Sequence, residues 1–347
     1  MIFVTGGTGL VGSHLLFELT SAGNTVKALA RNMVKTDEVL ELFRFYSNQA
    51  ETLFSRIEWV EGDMLDYFFL KDALKDVTEI YHCAAFISFN PKDRKKMIFN
   101  NVEGTSNLVN AAIENKLVKF CHVSSIAALG TYEGTLPVNE ETNWHPLKNL
   151  TGYSESKFFS EAEVWRGVEE GLNAVIINPS IIIGPATGKN GSAGFFNLLK
   201  NGFSYYTKGV KGFVGVKDVV FAMTQLMYDA NFERVKNQRY LLNAENISLQ
   251  DFFNKIADAF GNPRPNKFVS DALLSFLQKI AAVGSKISGK APYITREIAA
   301  TANKESYYDG SKIKQAIDFE YQAVATSILE TVKFMETRSK KGDQLVD

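Results

Sequence analysis

Near the middle of the chain, "FCHVSSIAALG" is followed some thirty residues later by "TGYSESKFFSEAE", so Ser124, Ser125, Tyr153 and Lys157 occur in that order. Tyr153 and Lys157 stand four apart at a helix start, which places them on one face, one turn apart. A tyrosine with a pKa near 10 is a slow proton donor or base unless its anion is stabilised. An ammonium one turn away lowers that pKa, and a serine hydroxyl polarises an oxygen that is gaining alkoxide character. The trio therefore suits a carbonyl that accepts hydride and then needs a proton. A Tyr-x-x-x-Lys pair alone also describes an exposed ring beside a cation, so the elements that position it decide its meaning.

The chain opens "MIFVTGGTGLVGSHLLFEL". Gly6, Gly9 and Gly12 are spaced by three between a strand-like run and a helical one. Gly6 permits a tight turn, Gly9 lets backbone amides approach an anion, and Gly12 lets the helix pack on the sheet. The helix start offers N–H groups and the positive end of its dipole to a pyrophosphate. No Lys-Ser or Lys-Thr pair follows, which disfavours a nucleotide triphosphatase loop. The second strand ends "VKALARN", with Ala30 and Arg31 where an acidic residue would bind the ribose of NAD. A guanidinium there fits a 2′-phosphate, unless Arg31 is only a solvated surface charge, so NADP is expected, with NAD as the alternative. "VEGDM" brings Asp63 and Met64 to the end of the third strand, where the carboxylate suits an adenine amino group or a helix N-cap. Ala84 and Ala85, after the fourth strand, are small enough for a cofactor to lie against the backbone.

Strand-like runs fall at 2–5, 25–30, 57–61, 79–83, 119–124 and 174–177, separated by helix-like stretches such as 12–22, 65–75, 103–115 and 153–170. This alternation implies an α/β fold: a Rossmann-type doubly wound parallel sheet with its crevice at the carboxyl ends of the strands. Residues 1–185 are expected to form that core. Residues 186–335 read as a smaller substrate-binding cap with some returns to the core, too interrupted for a second sheet of any size, and 336–347 as a frayed tail.

The 347 residues carry 38 basic and 39 acidic side chains, which leaves no global field to gather nucleic acid or an anionic membrane. Cys83 and Cys121 lie in apolar strands and read as small hydrophobes in a reducing, cytoplasmic setting, with no leader segment evident. No apolar run reaches membrane-spanning length, and "DALLSFLQKIAAVGSKISG" from Asp271 reads as a docked amphipathic helix. His82, His122 and His145 lack metal-ligand spacing, so no metal is expected, and the first two read as satisfied core residues.

Together "TGGTGLVG", Gly62-Asp63, "NVEGT" from Asn101, "VSS" at 123–125, "YSESK" and "INPSIIIGP" resemble the extended short-chain dehydrogenase/reductase family, within the NAD-dependent epimerase/dehydratase superfamily, over about residues 1–245. Arg31 with "INPSIIIGP" is similar to the dihydroflavonol-reductase-like and 3β-hydroxysteroid-dehydrogenase-like branches. The sugar-nucleotide enzymes commonly carry Arg where Asn178 stands. The resemblance implies Tyr153 as general acid/base, Lys157 as the residue that lowers its pKa and binds the nicotinamide ribose, and Ser125, in preference to Ser124, as the hydrogen bond to the substrate oxygen. It implies that Thr5, Gly6, Gly9, Leu10, Val11 and Gly12 hold the pyrophosphate, that Pro179, Ser180 and Ile182 line the nicotinamide face, and that Asn101 anchors cofactor-side backbone, unless Asn101 is simply a helix cap. It also implies a homodimer formed by the helices around 103–115 and 153–170. Ser125 is followed by Ile126 and Ala127 rather than the Asp-Glu of sugar-nucleotide dehydratases, so elimination lacks its acid and base.

The expectation is an NADP(H)-dependent oxidoreductase that interconverts a small-molecule carbonyl and its alcohol. The alternatives are a sugar-nucleotide epimerase with tightly bound NAD, and a non-catalytic NADP-binding sensor. Phe86, Phe89, Tyr132, Trp144, Phe195, Phe196, Phe203, Tyr205 and Tyr206 would give an apolar or aromatic pocket, or else they are ordinary core.

Overall fold

The computed structural model describes residues 1–88, 90–130, 137–142, 151–188, 191–276, 278 and 301–343. Phe89, Tyr132, Trp144 and His145 lie outside the described residues, as does most of the stretch that follows Asp271.

Seven parallel strands form the main sheet: β1 (Ile2–Thr5), β2 (Val26–Ala30), β3 (Ile57–Glu61), β4 (Glu79–His82), β5 (Lys119–Val123), β6 (Ala174–Pro179) and, returning from the second half of the chain, β10 (Gln238–Leu242). Their order is β10-β6-β5-β4-β1-β2-β3. The chain winds outwards in both directions from β1 and β4, and the switch point between them opens a crevice at their carboxyl ends. Every residue of β2, β5 and β6 is buried, as expected for strands covered on both faces.

One face is covered by α1 (Leu10–Ser21), α2 (Thr36–Tyr46), α3 (Ala50–Phe54), α8 (Val216–Met227) and α9 (Asp229–Val235), around Leu15, Leu16, Val26 and Phe43. The other is covered by α4 (Tyr67–Ala73), α5 (Arg94–Glu114) and α6 (Gly152–Glu169), around Phe3, Leu108, Phe120 and Val164. The helix expected from residue 103 thus begins nine residues earlier. Its first turns, "RKKMIFNN", look polar, but they bury Met97 and Asn101 against the sheet edge and α6.

The second half of the chain does build a small second sheet, against expectation. Strands β7 (Ile181–Ile183), β9 (Val210–Gly215) and β11 (Glu245–Ser248) pair in the order β11-β9-β7, and β8 (Tyr205–Tyr206) pairs with β12 (Lys267–Phe268). Distant short runs can form it because α7 (Ala193–Lys200), α10 (Leu249–Ala259) and the last helix give its inner face a common core. In that core Phe213 stacks on Phe252 at 4.2 Å and Phe196 meets Phe252 edge-on. Phe195, Phe203 and Tyr206 pack against the same cluster, so these rings serve the cap's interior, whereas Tyr205 is 45% exposed.

After α11 (Lys312–Ala316), α12 (Val324–Asp343) runs through most of the expected tail. Residues 336–343 are helical rather than frayed. Val324, Ile328 and Val332 seat the helix in the cap, and Arg338 pairs with Glu41 of α2 at 2.9 Å and donates to the Thr187 carbonyl at 2.7 Å. Among the described residues no helix is long and apolar enough to cross a membrane.

Candidate functional site

The glycine turn leads from β1 into α1. Gly6 has φ +70°, and a Cβ there would lie 2.6 Å from the Ala84 nitrogen, so the turn and the end of β4 are in direct backbone contact. A Cβ at Gly12 would lie 2.2 Å from the Gly6 carbonyl oxygen. Gly9 is the N-cap of α1, and no side chain caps that helix. The amides of the first turn, with the dipole behind them, are therefore suited to an external anion. Leu10 starts the helix, with its side chain 3.6 Å from where a Cβ on Gly184 would lie, and Val11 and Ile182 pack on the same core. The strand after β6 thus returns over the glycine turn.

Thr5, fully buried, joins this turn to β4: its hydroxyl accepts from the Ala84 N–H at 3.2 Å and lies 2.7 Å from His82 Nδ1. The Thr105 hydroxyl donates to the Asn101 carbonyl at 2.7 Å, so His82 Nε2, 3.0 Å away, is the donor to Thr105. His82 Nδ1 must then accept from Thr5. Burial, helped by the charge on Lys157, brings the His82 pKa down to about 3, so the ring is neutral and the chain of donors keeps one direction. His82 is the satisfied core residue expected. His122 is not: it is 1% exposed, and neither ring nitrogen has a hydrogen-bond partner among the described residues. No physical account of that orphan emerges from its neighbours.

Asn101 lies inside α5, not at its start, so it is no helix cap. Its side chain clasps the loop after β4, accepting from the Phe86 N–H at 2.7 Å and donating to the Phe86 carbonyl at 3.0 Å and to Ser156 at 3.2 Å. An amide can do this because it offers donor and acceptor side by side. Phe86 and the half-buried Ala84 and Ala85 are held at the crevice by this clasp and by the Thr5 bond.

Ser125, Tyr153 and Lys157 come together from β5 and α6. The adjacent serines diverge: the Ser124 hydroxyl donates to the buried Glu161 at 2.6 Å, while Ser125 lies by the Tyr153 phenol and acts to lower its pKa. The Ser125 oxygen also accepts from the Ala127 N–H at 3.1 Å, which starts a short 3-10 turn and fixes the side chain. Thr151 caps α6 by accepting from the Ser154 N–H, which orients the turn carrying Tyr153. Burial raises the Tyr153 pKa, and the Ser125 hydroxyl acts against that. Lys157 is 5% exposed and donates to the Val123 carbonyl at 2.9 Å. Burial brings its pKa down to about 8, with Cys83 and Glu161 acting against the fall. An ammonium has three donors, and the Val123 carbonyl takes one, so the group suits paired hydroxyls.

On the far side of β1, Arg31 is exposed at the end of β2. Asp63, also exposed, accepts from the Leu65 N–H at 3.0 Å. The N-cap of α4 is Asp66, not Asp63. Met64 packs its Cβ 3.0 Å from where a Cβ on Gly104 would be, so it wedges against α5. Pro179 ends β6 opposite Leu242, and Ser180 is buried beside Gly212 where the two sheets meet. Burial raises both thiols, Cys83 to about 12, which leaves them protonated and inert. Among the described residues there is no group of three or more metal-ligating side chains.

Sequence reasoning missed Glu161, Asn178 as its partner, Arg239 and Thr105. Glu161 had a signal: in "YSESKFFSE" it stands four residues after Lys157 and eight after Tyr153, on the same helical face.

The arrangement holds a proton donor beside a hydroxyl and a cation, at the edge where a glycine turn offers an anion site. A family model described as "NAD dependent epimerase/dehydratase family" matches residues 2–240. A Synechocystis sp. protein bearing a provisional dihydroflavonol 4-reductase name is 28% identical over 96% of this chain and 94% of its own length. Cinnamoyl-CoA reductase 1 of Petunia hybrida is 30% identical over 64% of this chain and 67% of its own. The crystal structure of gox2253 superposes with a TM-score of 0.79 at 27% identity, covering 97% of this chain and 98% of that one.

Proposed function

The chain belongs to the NAD-dependent epimerase/dehydratase family, and we propose that it is an NADP(H)-dependent oxidoreductase that reduces an apolar or aromatic ketone or aldehyde to its alcohol, or runs the reverse. The observation that carries this reading is the meeting of Ser125, Tyr153 and Lys157 at the crevice, with the glycine turn in contact with the end of β4. Reductase names among the relatives support it.

The residues fit a dinucleotide on the ground of the uncapped α1 N-terminus and the close Gly6–Ala84 approach. Thr5, Gly6, Gly9, Leu10, Val11 and Gly12 would hold its pyrophosphate, Arg31 its 2′-phosphate, and Asp63 and Met64 its adenine. Ala84, Ala85, Asn101, Lys157, Pro179, Ser180 and Ile182 would border its nicotinamide half. The nicotinamide, when bound, supplies or accepts the hydride. Ser125 donates a hydrogen bond to the substrate oxygen and thereby draws negative charge onto it. Tyr153 then passes its phenolic proton to that oxygen. Lys157 stabilises the phenolate that forms, from one helical turn away.

The deciding experiment follows NADPH oxidation with aromatic, steroid-like and small aldehyde carbonyls. Steady consumption is expected, and Tyr153→Phe should lower kcat at least 100-fold while NADPH affinity stays within twofold. Undiminished turnover in that variant would remove Tyr153 from the reaction. Cofactor retained through purification with no net NADPH consumption would favour an epimerase.

The free thiols suit a reducing, cytoplasmic setting. We also assign the outer face of α5 and α6 to a homodimer. Phe99 (58% exposed) and Phe159 (44%) flank a groove of about 440 Å³ lined by Ile98, Val102 and Ala162 and edged by Lys95, Glu103 and Glu163. An apolar centre with a charged rim is the usual composition of such contacts.

A further inference from the structure

Glu161 is 3% exposed, and its carboxylate gathers donors from four places. On Oε2 it accepts from the Ser124 hydroxyl of the β5 end at 2.6 Å and from the Asn178 amide of β6 at 2.7 Å. On Oε1 it accepts from the Trp165 indole of its own helix at 3.2 Å and from the Arg239 guanidinium of β10 at 3.3 Å. Both oxygens are therefore committed. The same Asn178 nitrogen donates to the Ser125 carbonyl at 3.1 Å, so the carboxylate, the amide and the backbone of Ser125 form one rigid unit. Arg239 extends it by donating to the Glu140 carbonyl at 2.8 Å.

A buried carboxylate is costly, and an apolar staple of the same size would join these strands at least as well. What an apolar side chain would not provide is a negative charge one turn beyond Lys157. Tyr153, Lys157 and Glu161 lie at i, i+4 and i+8 of α6, so the charge sits on the crevice face, below the ammonium.

We propose that Glu161 is a positioning residue of the reaction assigned above: it fixes the Ser124–Ser125 backbone through Asn178 and supplies the negative field that keeps Lys157 charged. The inference rests on the reading of Ser125, Tyr153 and Lys157 as the catalytic group. The groups that face Lys157 among the described residues are His82 and Cys83 at the end of β4, His122 on β5, and Tyr153 and Glu161 on α6, and Glu161 is itself shared with the Arg239 guanidinium of β10 at 3.3 Å. His82 and His122 are held neutral by burial, and Cys83, although it is the larger of the two influences that oppose the fall of the Lys157 pKa, is a thiol that burial keeps protonated and so uncharged. Glu161 is thus the carboxylate that faces the ammonium among these groups. Lys157, with its pKa near 8, has little margin to lose.

The test reads Lys157 directly, without turnover. The full-length protein is labelled with ¹³C-lysine, the Lys157 signal is identified by its loss in Lys157→Met, and its titration is followed by NMR in wild type and in Glu161→Gln. The midpoint is expected near pH 8 in wild type and at least one pH unit lower in E161Q. The alkaline fall in kcat should shift with it, and kcat at pH 7 should drop roughly tenfold. A folded E161Q with an unmoved Lys157 midpoint overturns the proposal. Glu161→Asp separates the two roles: the shorter side chain keeps the charge but retracts from Ser124 and Asn178, so kcat should fall with the midpoint unmoved. A moved midpoint in E161D overturns the proposal even where E161Q fails to fold. If the midpoint falls in E161Q but wild type consumes no NADPH with any carbonyl, the functional reading fails and the electrostatic role of Glu161 stands.

Discussion

Gly9 and Gly12 lie three residues apart in one turn, and the space around each predicts different consequences for alanine. At Gly12 a methyl would lie 2.2 Å from the Gly6 carbonyl oxygen, 2.7 Å from its carbon and 2.9 Å from the Gly7 Cα, all backbone atoms that cannot swing aside. Gly12→Ala must push α1 off the turn, an overpacking strain of about 1–3 kcal/mol in the free protein. At Gly9 the nearest atom to a new methyl is the Gly6 oxygen at 3.3 Å, and φ is −89°, which any L residue adopts. Alanine there forfeits some N-cap preference but restricts the unfolded chain, effects of about 0.4–1 kcal/mol in opposite directions. Gly9→Ala should therefore leave the stability of the free protein within about 0.5 kcal/mol of wild type. Yet the methyl would project where a pyrophosphate must approach the first amides of α1, so NADPH affinity should fall about 10–100-fold, or about 1.4–2.8 kcal/mol. Urea unfolding of the free protein and fluorescence titration with NADPH measure the two quantities. Wild-type NADPH affinity in Gly9→Ala would refute the phosphate role of this turn. A loss of stability in Gly9→Ala equal to that in Gly12→Ala would refute the division of labour.

Arg31→Ala should weaken NADPH binding about 10–100-fold and leave NADH binding unchanged; an unaltered ratio of the two affinities would remove Arg31 from the 2′-phosphate. Phe99→Glu places a charge at the centre of the exposed α5/α6 face and should convert a dimer to a monomer in sedimentation velocity at equal concentration, whereas an identical profile would place the dimer contact elsewhere. Asp218, buried in the first turn of α8, accepts from the Gln322 N–H at 3.2 Å, and burial raises its carboxyl to about 6. Its folded pKa thus exceeds its unfolded one, so between about pH 4 and 6 the folded state binds the proton more tightly and stability falls as pH rises. Asp218→Asn should remove that part of the slope, gaining on wild type from pH 4 to pH 6.5 in urea unfolding; a difference independent of pH would contradict the assignment.

Local pattern carried the first half of the fold. The strand runs at 2–5 and 57–61 match β1 and β3, and the glycine spacing marked the start of α1, because period, turn residues and helix starts are properties of neighbouring residues. The start of α5 was not legible for the opposite reason. Its buried face includes Asn101, Gly104 and Thr105, polar or small residues that become interior only because β4, Ser156 and Met64 meet them. The second sheet was hidden because β7 and β11 have only three and four residues and β9, "VKGFVG", carries two glycines and no polar–apolar alternation, so that only the shared Phe213–Phe252 core makes them strands.

By its own residue types and spacing the chain determined a dinucleotide-type turn, an alternating α/β order, and a tyrosine and lysine on one helical face. Which serine accompanies them was beyond that reach. Ser124 and Ser125 are adjacent, so one residue of strand register sends either hydroxyl towards Tyr153 and the other away. The tertiary structure separates them by bringing Glu161 and Asn178 under β5: the carboxylate accepts the Ser124 hydrogen bond, the amide holds the Ser125 carbonyl, and the Ser125 hydroxyl is left on the side of the phenol. Contacts among residues 37 and 17 positions apart have no local signature, because they exist only once α6 has docked on the sheet.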